Sequence, residues 1–220
     1  MLTSKEIKAR AWRSLKGRYF EAILVLVIIT AVNSIAGDKA HLLGTIFIET
    51  VLSIGLANYF IKNTAEKPSF TAIYSCLTTS YGRNLITMIL MYIKVALWSL
   101  LLIVPGIIKA IEYSLIPYIL AEDPQISCKD AFKKAKALMK GNKWRLCKLI
   151  LSFTGWFAIW LVVVYIGYYL YATYSFSIAL LFLTPYLSAA LAEFYIDVKN
   201  NHTEPETVQT EAENIQVEIK

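Results

Sequence analysis

Apolar residues run along this chain in long unbroken blocks, at 21–37, 42–61, 84–104, 105–121, 146–170 and 173–196, with most of the charge confined between them. An α-helix rises about 1.5 Å per residue, so about 20 residues cross a hydrocarbon core of ~30 Å. Each block therefore predicts a membrane-spanning helix. Only helices and closed barrels satisfy their backbone groups in lipid, and the alternating pattern of barrel strands is absent. The pattern predicts an all-α, polytopic membrane helical bundle over residues 1–198, with six transmembrane helices as three hairpins.

Between the blocks the period changes to that of amphipathic helices. Ile7, Ala11, Leu15 and Tyr19 share one helical face among lysines and arginines. Phe70, Ile73, Tyr74, Leu77 and Tyr81 share another, and Phe132, Ala135 and Met139 oppose Lys129, Lys133, Lys136 and Lys140. Thr3-Ser4-Lys5-Glu6 and the pair Ser127 and Asp130 read as capping boxes, and Pro68-Ser69 opens the middle segment.

Each segment ends at a glycine with cations nearby: LKGRYF with Gly17 and Arg18, SYGRNL with Gly82 and Arg83, MKGNKWRL with Lys140, Gly141, Lys143 and Trp144. The glycines are 65 and 59 residues apart, which predicts a repeated unit of a cytoplasmic amphipathic surface helix, a glycine corner and two spans. Glycine is the usual residue just past a helix end. Cations at such a corner are attracted to anionic headgroups, at about 1 kcal/mol each.

Composition agrees. Of 220 residues, 57% are hydrophobic and 17% charged, against about 25% charged in a soluble domain. The net charge of +6 is placed unevenly: the amino-terminal segment, the 62–83 loop and the 122–148 loop are basic, while the opposing connections hold only Lys39. Basic short loops stay in the cytoplasm, so both termini are expected there, in a multi-pass protein of the cell membrane. Cys76, Cys128 and Cys147 fall on that reducing side. Residues 199–220, rich in glutamate and poor in apolar groups, are expected to form an acidic disordered tail.

Candidate chemistry is sparse. Lys94 lies near the middle of the third block, and Glu49 and Glu112 fall at similar depth when counted from a turn at Pro105-Gly106. A Glu49, Lys94 and Glu112 cluster inside the bundle reads either as a structural ion pair fixing register or as a solute or proton pathway. The chain holds no H-E-x-x-H, G-x-S-x-G or Walker A motif, and its only histidines are His41 and His202. No metal, cofactor, nucleic-acid partner or enzymatic activity is expected.

The stretch from PGIIKAIEYSLIPYILAED through MKGNKWRL resembles a family of bacterial integral membrane proteins catalogued as domain of unknown function 975. The resemblance rests on Pro105, Gly106, Lys109, Tyr113, Pro117 and Tyr118 and on the MKGNKW run, and extends over about residues 5–197. Ala135-Lys136-Ala137 stands where the family pattern has a serine. The resemblance implies a polytopic membrane protein and no particular activity.

Two functions follow as expectations. The first is a non-enzymatic membrane protein that organises, senses or scaffolds, with the bilayer, its anionic headgroups, and a membrane-protein partner or second copy as candidate partners. The alternative is a small-solute or lipid transporter or permease subunit using Glu49, Lys94 and Glu112.

Overall fold

The structure, a computed structural model, describes residues 1–27, 42–65, 81–155 and 183–202, together with residues 158, 161, 162 and 165. Every regular element among them is helical. In chain order these are α1 (Ser4–Leu15), α2 (19–27), α3 (Leu42–Ala65), α4 (Tyr81–Leu101), α5 (Ile103–Tyr113), α6 (Ile116–Glu122), α7 (Cys128–Met139), α8 (Lys143–Leu151) and α9 (183–202).

The amphipathic helices form where local chemistry starts and stops them. The Thr3 hydroxyl accepts from the Glu6 N–H and the Thr3 N–H donates to the Glu6 carboxylate at 2.7 Å, which closes the capping box of α1. Ser127 caps α7 by accepting from the Asp130 N–H at 3.2 Å, and its own hydroxyl donates to the Asp130 carboxylate at 2.6 Å. Both helices run 12 residues and end in the same way. Lys16 donates to the Arg13 carbonyl, Gly17 turns left-handed at φ +84°, and Arg18 donates to the Leu15 carbonyl. At the other site Lys140 donates to Ala137, Gly141 takes φ +80°, and Asn142 donates to Met139. Every one of these positions has its counterpart 124 residues away.

The correspondence extends to burial. Ile7, Ala11 and Leu15 match Ala131, Ala135 and Met139, and past the corners Ala22 and Val25 match Leu146 and Leu149; all are at most 2% exposed. The apolar faces of α1 and α7 therefore pack into the bundle and are not free to lie on lipid. Gly82 departs from the expected pattern: it sits in the first turn of α4, and Gly17 and Gly141 are the positive-φ glycines among the described residues. The amphipathic segment expected ahead of Gly82 lies outside the described residues.

α4 and α5 form a hairpin joined through Leu102 alone, in extended conformation at φ −158°, ψ 140°. The expected turn was Pro105-Gly106, three residues later. Pro105 instead occupies the first turn of α5, where a backbone N–H has no helical partner and proline is tolerated. Gly106 lets the two helices touch: a Cβ there would lie 2.7 Å from Ser99 Cα. Between α5 and α6 the helix breaks at Ser114 and Leu115, because Pro117 lacks the N–H that would continue it.

Among the described residues two segments are long and apolar enough to cross a membrane, Tyr81–Leu101 and Ile103–Glu122. The expected count of six spans is thus reached only in part. α3 covers the block at 42–61, but the block at 146–170 begins as α8 and is interrupted by a turn at Ser152 and Phe153. The tail expected from residue 199 begins instead as the end of α9, which runs through residue 202 because Lys199 is tied to Glu122. The rest of the 146–170 block, residues 173–182 and the tail beyond 202 lie largely or wholly outside the described residues.

Buried side chains concentrate where α1, α3, α6, α7, α8 and α9 meet, around Tyr59, Phe60, Ile119, Phe194 and Tyr195. Each such side chain contributes about 1.5–3 kcal/mol by leaving water. The far end of the hairpin is the reverse, with Leu100 85% and Ile103 75% exposed.

Candidate functional site

The two glycine corners share a polar device built from different residues. At the first, the Asn63 amide of α3 donates to the Ser14 carbonyl at 3.1 Å, and Arg18 donates to the Asn63 Oδ1 at 3.2 Å. At the second, the Asn142 amide donates to the Leu138 carbonyl at 2.9 Å, and Arg145 donates to the Asn142 Oδ1 at 2.8 Å. Ser14 and Leu138 are again counterparts. In both corners a buried asparagine satisfies a carbonyl left over at the helix end and hands its oxygen to a guanidinium.

Around the second corner the hairpin is tied in by charge. Glu112, 5% exposed, accepts from Lys109 at 3.0 Å and from Lys143 of the corner. Lys143 thus reaches the carboxylate from α8 while Lys109 reaches it from the preceding turn of α5. Lys94 goes elsewhere: its ammonium lies 3.6 Å from the centroid of the Phe132 ring, which packs edge-on against Tyr113 at 5.1 Å. The structure therefore brings Glu112 to Lys109 and Lys143, and places Lys94 on α7. The side chain of Glu49 lies outside the described residues.

Two further clusters close the same end of the molecule. Tyr195 donates to Glu122 at 2.6 Å, Lys199 also binds Glu122, and Lys134 stands 3.9 Å away. Arg145 binds Asp197 at 2.6 Å and the Leu2 carbonyl at 2.7 Å, while the Leu2 N–H returns to Asp197. The amino-terminal segment is pinned beside the second corner by this exchange. Removing one partner of a buried ion pair costs more than the pair is worth, and Glu112 and Asp197 are the buried carboxylates of these clusters.

The remaining named residues are placed as follows. Trp144 is 66% exposed, with the Lys148 ammonium 5.7 Å from its ring. Arg83 donates to the Gln125 carbonyl at 2.6 Å, tying the start of α4 to the loop after α6. Tyr118 is buried and stacks on Tyr195 at 5.7 Å. An open cleft of about 640 Å³ lies beside the first corner, lined by Arg10, Arg13, Ser14, Thr64 and Glu193 among others.

Sequence reasoning missed Asn63, Arg145, Glu122, Asp197 and Tyr195, and met Asn142 only as part of the MKGNKW run. Asn142 adjoins a glycine already singled out, and Glu122 and Asp197 are carboxylates at the ends of apolar blocks. Those positions are the available signal; Asn142 bonds within four residues of itself, whereas Asn63 and Asp197 have partners 45 and 195 residues away.

The profile of a family described as "Protein of unknown function (DUF975)" matches residues 100–202. It begins at the hairpin tip and takes in the second corner with all three carboxylate clusters. No curated protein and no solved structure matches the chain.

Proposed function

We propose that this chain, whose residues 100–202 match the DUF975 family profile, is a non-enzymatic, multi-pass protein of the cell membrane, with both termini cytoplasmic. In this reading its cationic corners hold anionic lipid headgroups and its folded inner face scaffolds other membrane components.

One observation carries the proposal: the two ends of the molecule are chemically opposite. One end is a bare aliphatic hairpin, with Leu100 and Ile103 85% and 75% exposed. The other gathers Gly17, Gly141, the pinned amino-terminal segment and the lysines and arginines of α1 and α7. Because the apolar faces of those two helices are filled by the bundle, what they offer outward is charge. Charge of that sign suits a headgroup layer, at about 1 kcal/mol per cation near an anionic surface. The cleft that Arg10 and Arg13 line, together with Glu193, is the place where a phosphate would meet guanidinium groups.

The test is native-lipid retention. Chain purified in mild detergent should carry anionic phospholipid in excess of its share of the membrane, and Arg10→Gln with Arg13→Gln should reduce that excess. A lipid complement that mirrors the bulk membrane in both proteins would contradict the proposal.

A further inference from the structure

We propose that the α4–α5 hairpin ends inside the bilayer, with its tip at residues 100–104 surrounded by acyl chains and shut off from the external water. This rests on the membrane reading above and goes beyond it, since a spanning hairpin ordinarily emerges at a polar turn.

The side chains give the first argument. Leu100, Leu101, Leu102, Ile103 and Val104 are 85%, 73%, 63%, 75% and 67% exposed, with no polar residue among them. No charged residue occurs between Lys94 and Lys109. The one hydroxyl in that stretch, on exposed Ser99, lies beside Gly106.

The backbone gives the second. Leu102, the only residue outside helix at the turn, donates its N–H to the Trp98 carbonyl at 3.1 Å, and its own carbonyl accepts from the Gly106 N–H at 3.2 Å. Pro105 has no N–H to satisfy. In hydrocarbon each unpaired backbone group is costly, and a reversal through a single residue that bonds on both sides, with a proline three residues on, shortens the unpaired stretch.

Length gives the third. The base of the hairpin is closed where Arg83 binds Gln125, and from Arg83 to Leu102 the helix advances about 29 Å at about 1.5 Å per residue. That equals the hydrocarbon core of ~30 Å and falls short of the 40–45 Å or so that includes the headgroups. With Arg83 among the inner headgroups, the tip stops within the acyl chains, short of the outer headgroup layer.

Power-saturation spin-label spectroscopy on the full chain in liposomes tests this. Cys76, Cys128 and Cys147 are replaced by serine, and a label is placed at Leu102→Cys or, separately, at Leu100→Cys or Val104→Cys, where exposure leaves no packing to disturb. The expected result is strong relaxation by oxygen and loss of relaxation by a water-soluble nickel chelate. Strong relaxation by the chelate would put the tip in water, and weak relaxation by both would put it against protein, such as a second copy; either overturns the proposal. Extraction with alkaline carbonate separates the two claims. Release of the chain overturns the membrane reading itself, while retention with a chelate-accessible tip overturns only the buried hairpin.

Discussion

Gly17 and Gly141 hold the same left-handed backbone, φ +84° and +80°, 124 residues apart, at the ends of helices whose caps, Thr3 and Ser127, are separated by the same interval. Helix length, cap, corner and buried positions coincide. Yet the asparagine that closes each corner comes from α3 in one case and from the corner itself in the other. The repeat is therefore conserved between its two copies in backbone and chemistry more than in side-chain identity.

Alanine tests the corners. For a residue other than glycine the left-handed region costs about 1–2 kcal/mol, so Gly17→Ala and Gly141→Ala should each lower stability by that amount in denaturant titrations in mixed micelles. Gly82→Ala, in the first turn of a helix, should be neutral or stabilising by up to about 1 kcal/mol. Equal losses at all three positions would restore the threefold corner that the sequence suggested.

Local features were legible in the sequence and tertiary ones were not. The capping residues of α1 and α7, their apolar faces and the glycines beyond them follow from contacts within a few residues. The partners of Glu112 do not. Counting depth from a turn at Pro105-Gly106 put Lys94 near Glu112, but depth along an axis says nothing of which face a side chain leaves from. Periodicity gives α7 an apolar face but not its partner: that face packs on α4 and α5 and offers Phe132 to Lys94. Lys143 reads as a headgroup anchor from its cationic neighbours in sequence, whereas its reach back to Glu112 depends on how the second corner folds.

Glu112 should matter more than either lysine. Glu112→Leu leaves two ammonium groups facing an apolar side chain, and should cost about 3 kcal/mol, the low end for a broken buried pair, since both lysines keep some hydration. Lys143→Met leaves Glu112 its bond to Lys109 and should cost about 1.5 kcal/mol. The double substitution should cost less than the two losses added, a coupling that a double-mutant cycle measures directly.

At the second corner, Asn142→Ala leaves the Leu138 carbonyl and one Arg145 donor without partners. A loss of about 2 kcal/mol is expected in the same titration. Asn142→Asp keeps the guanidinium contact but turns an acceptor toward a carbonyl, so it should not recover stability.

Gly106 sets how closely α4 and α5 approach. Gly106→Ala should cost about 1–3 kcal/mol, the usual range for forcing extra volume into a packed seam. Adding Ser99→Gly should restore only part of it, because the Ser99 Cα itself lies 2.7 Å from the new Cβ. Full recovery would mean that the side chain, not the backbone, fixes the separation.

The account as a whole depends on both corners lying at the cytoplasmic surface, and thiol accessibility in intact cells measures that. In a chain with its own cysteines replaced by serine, Lys16→Cys and Lys140→Cys should react with a membrane-impermeant maleimide only after the membrane is permeabilised. Labelling of either position in intact cells would contradict the account.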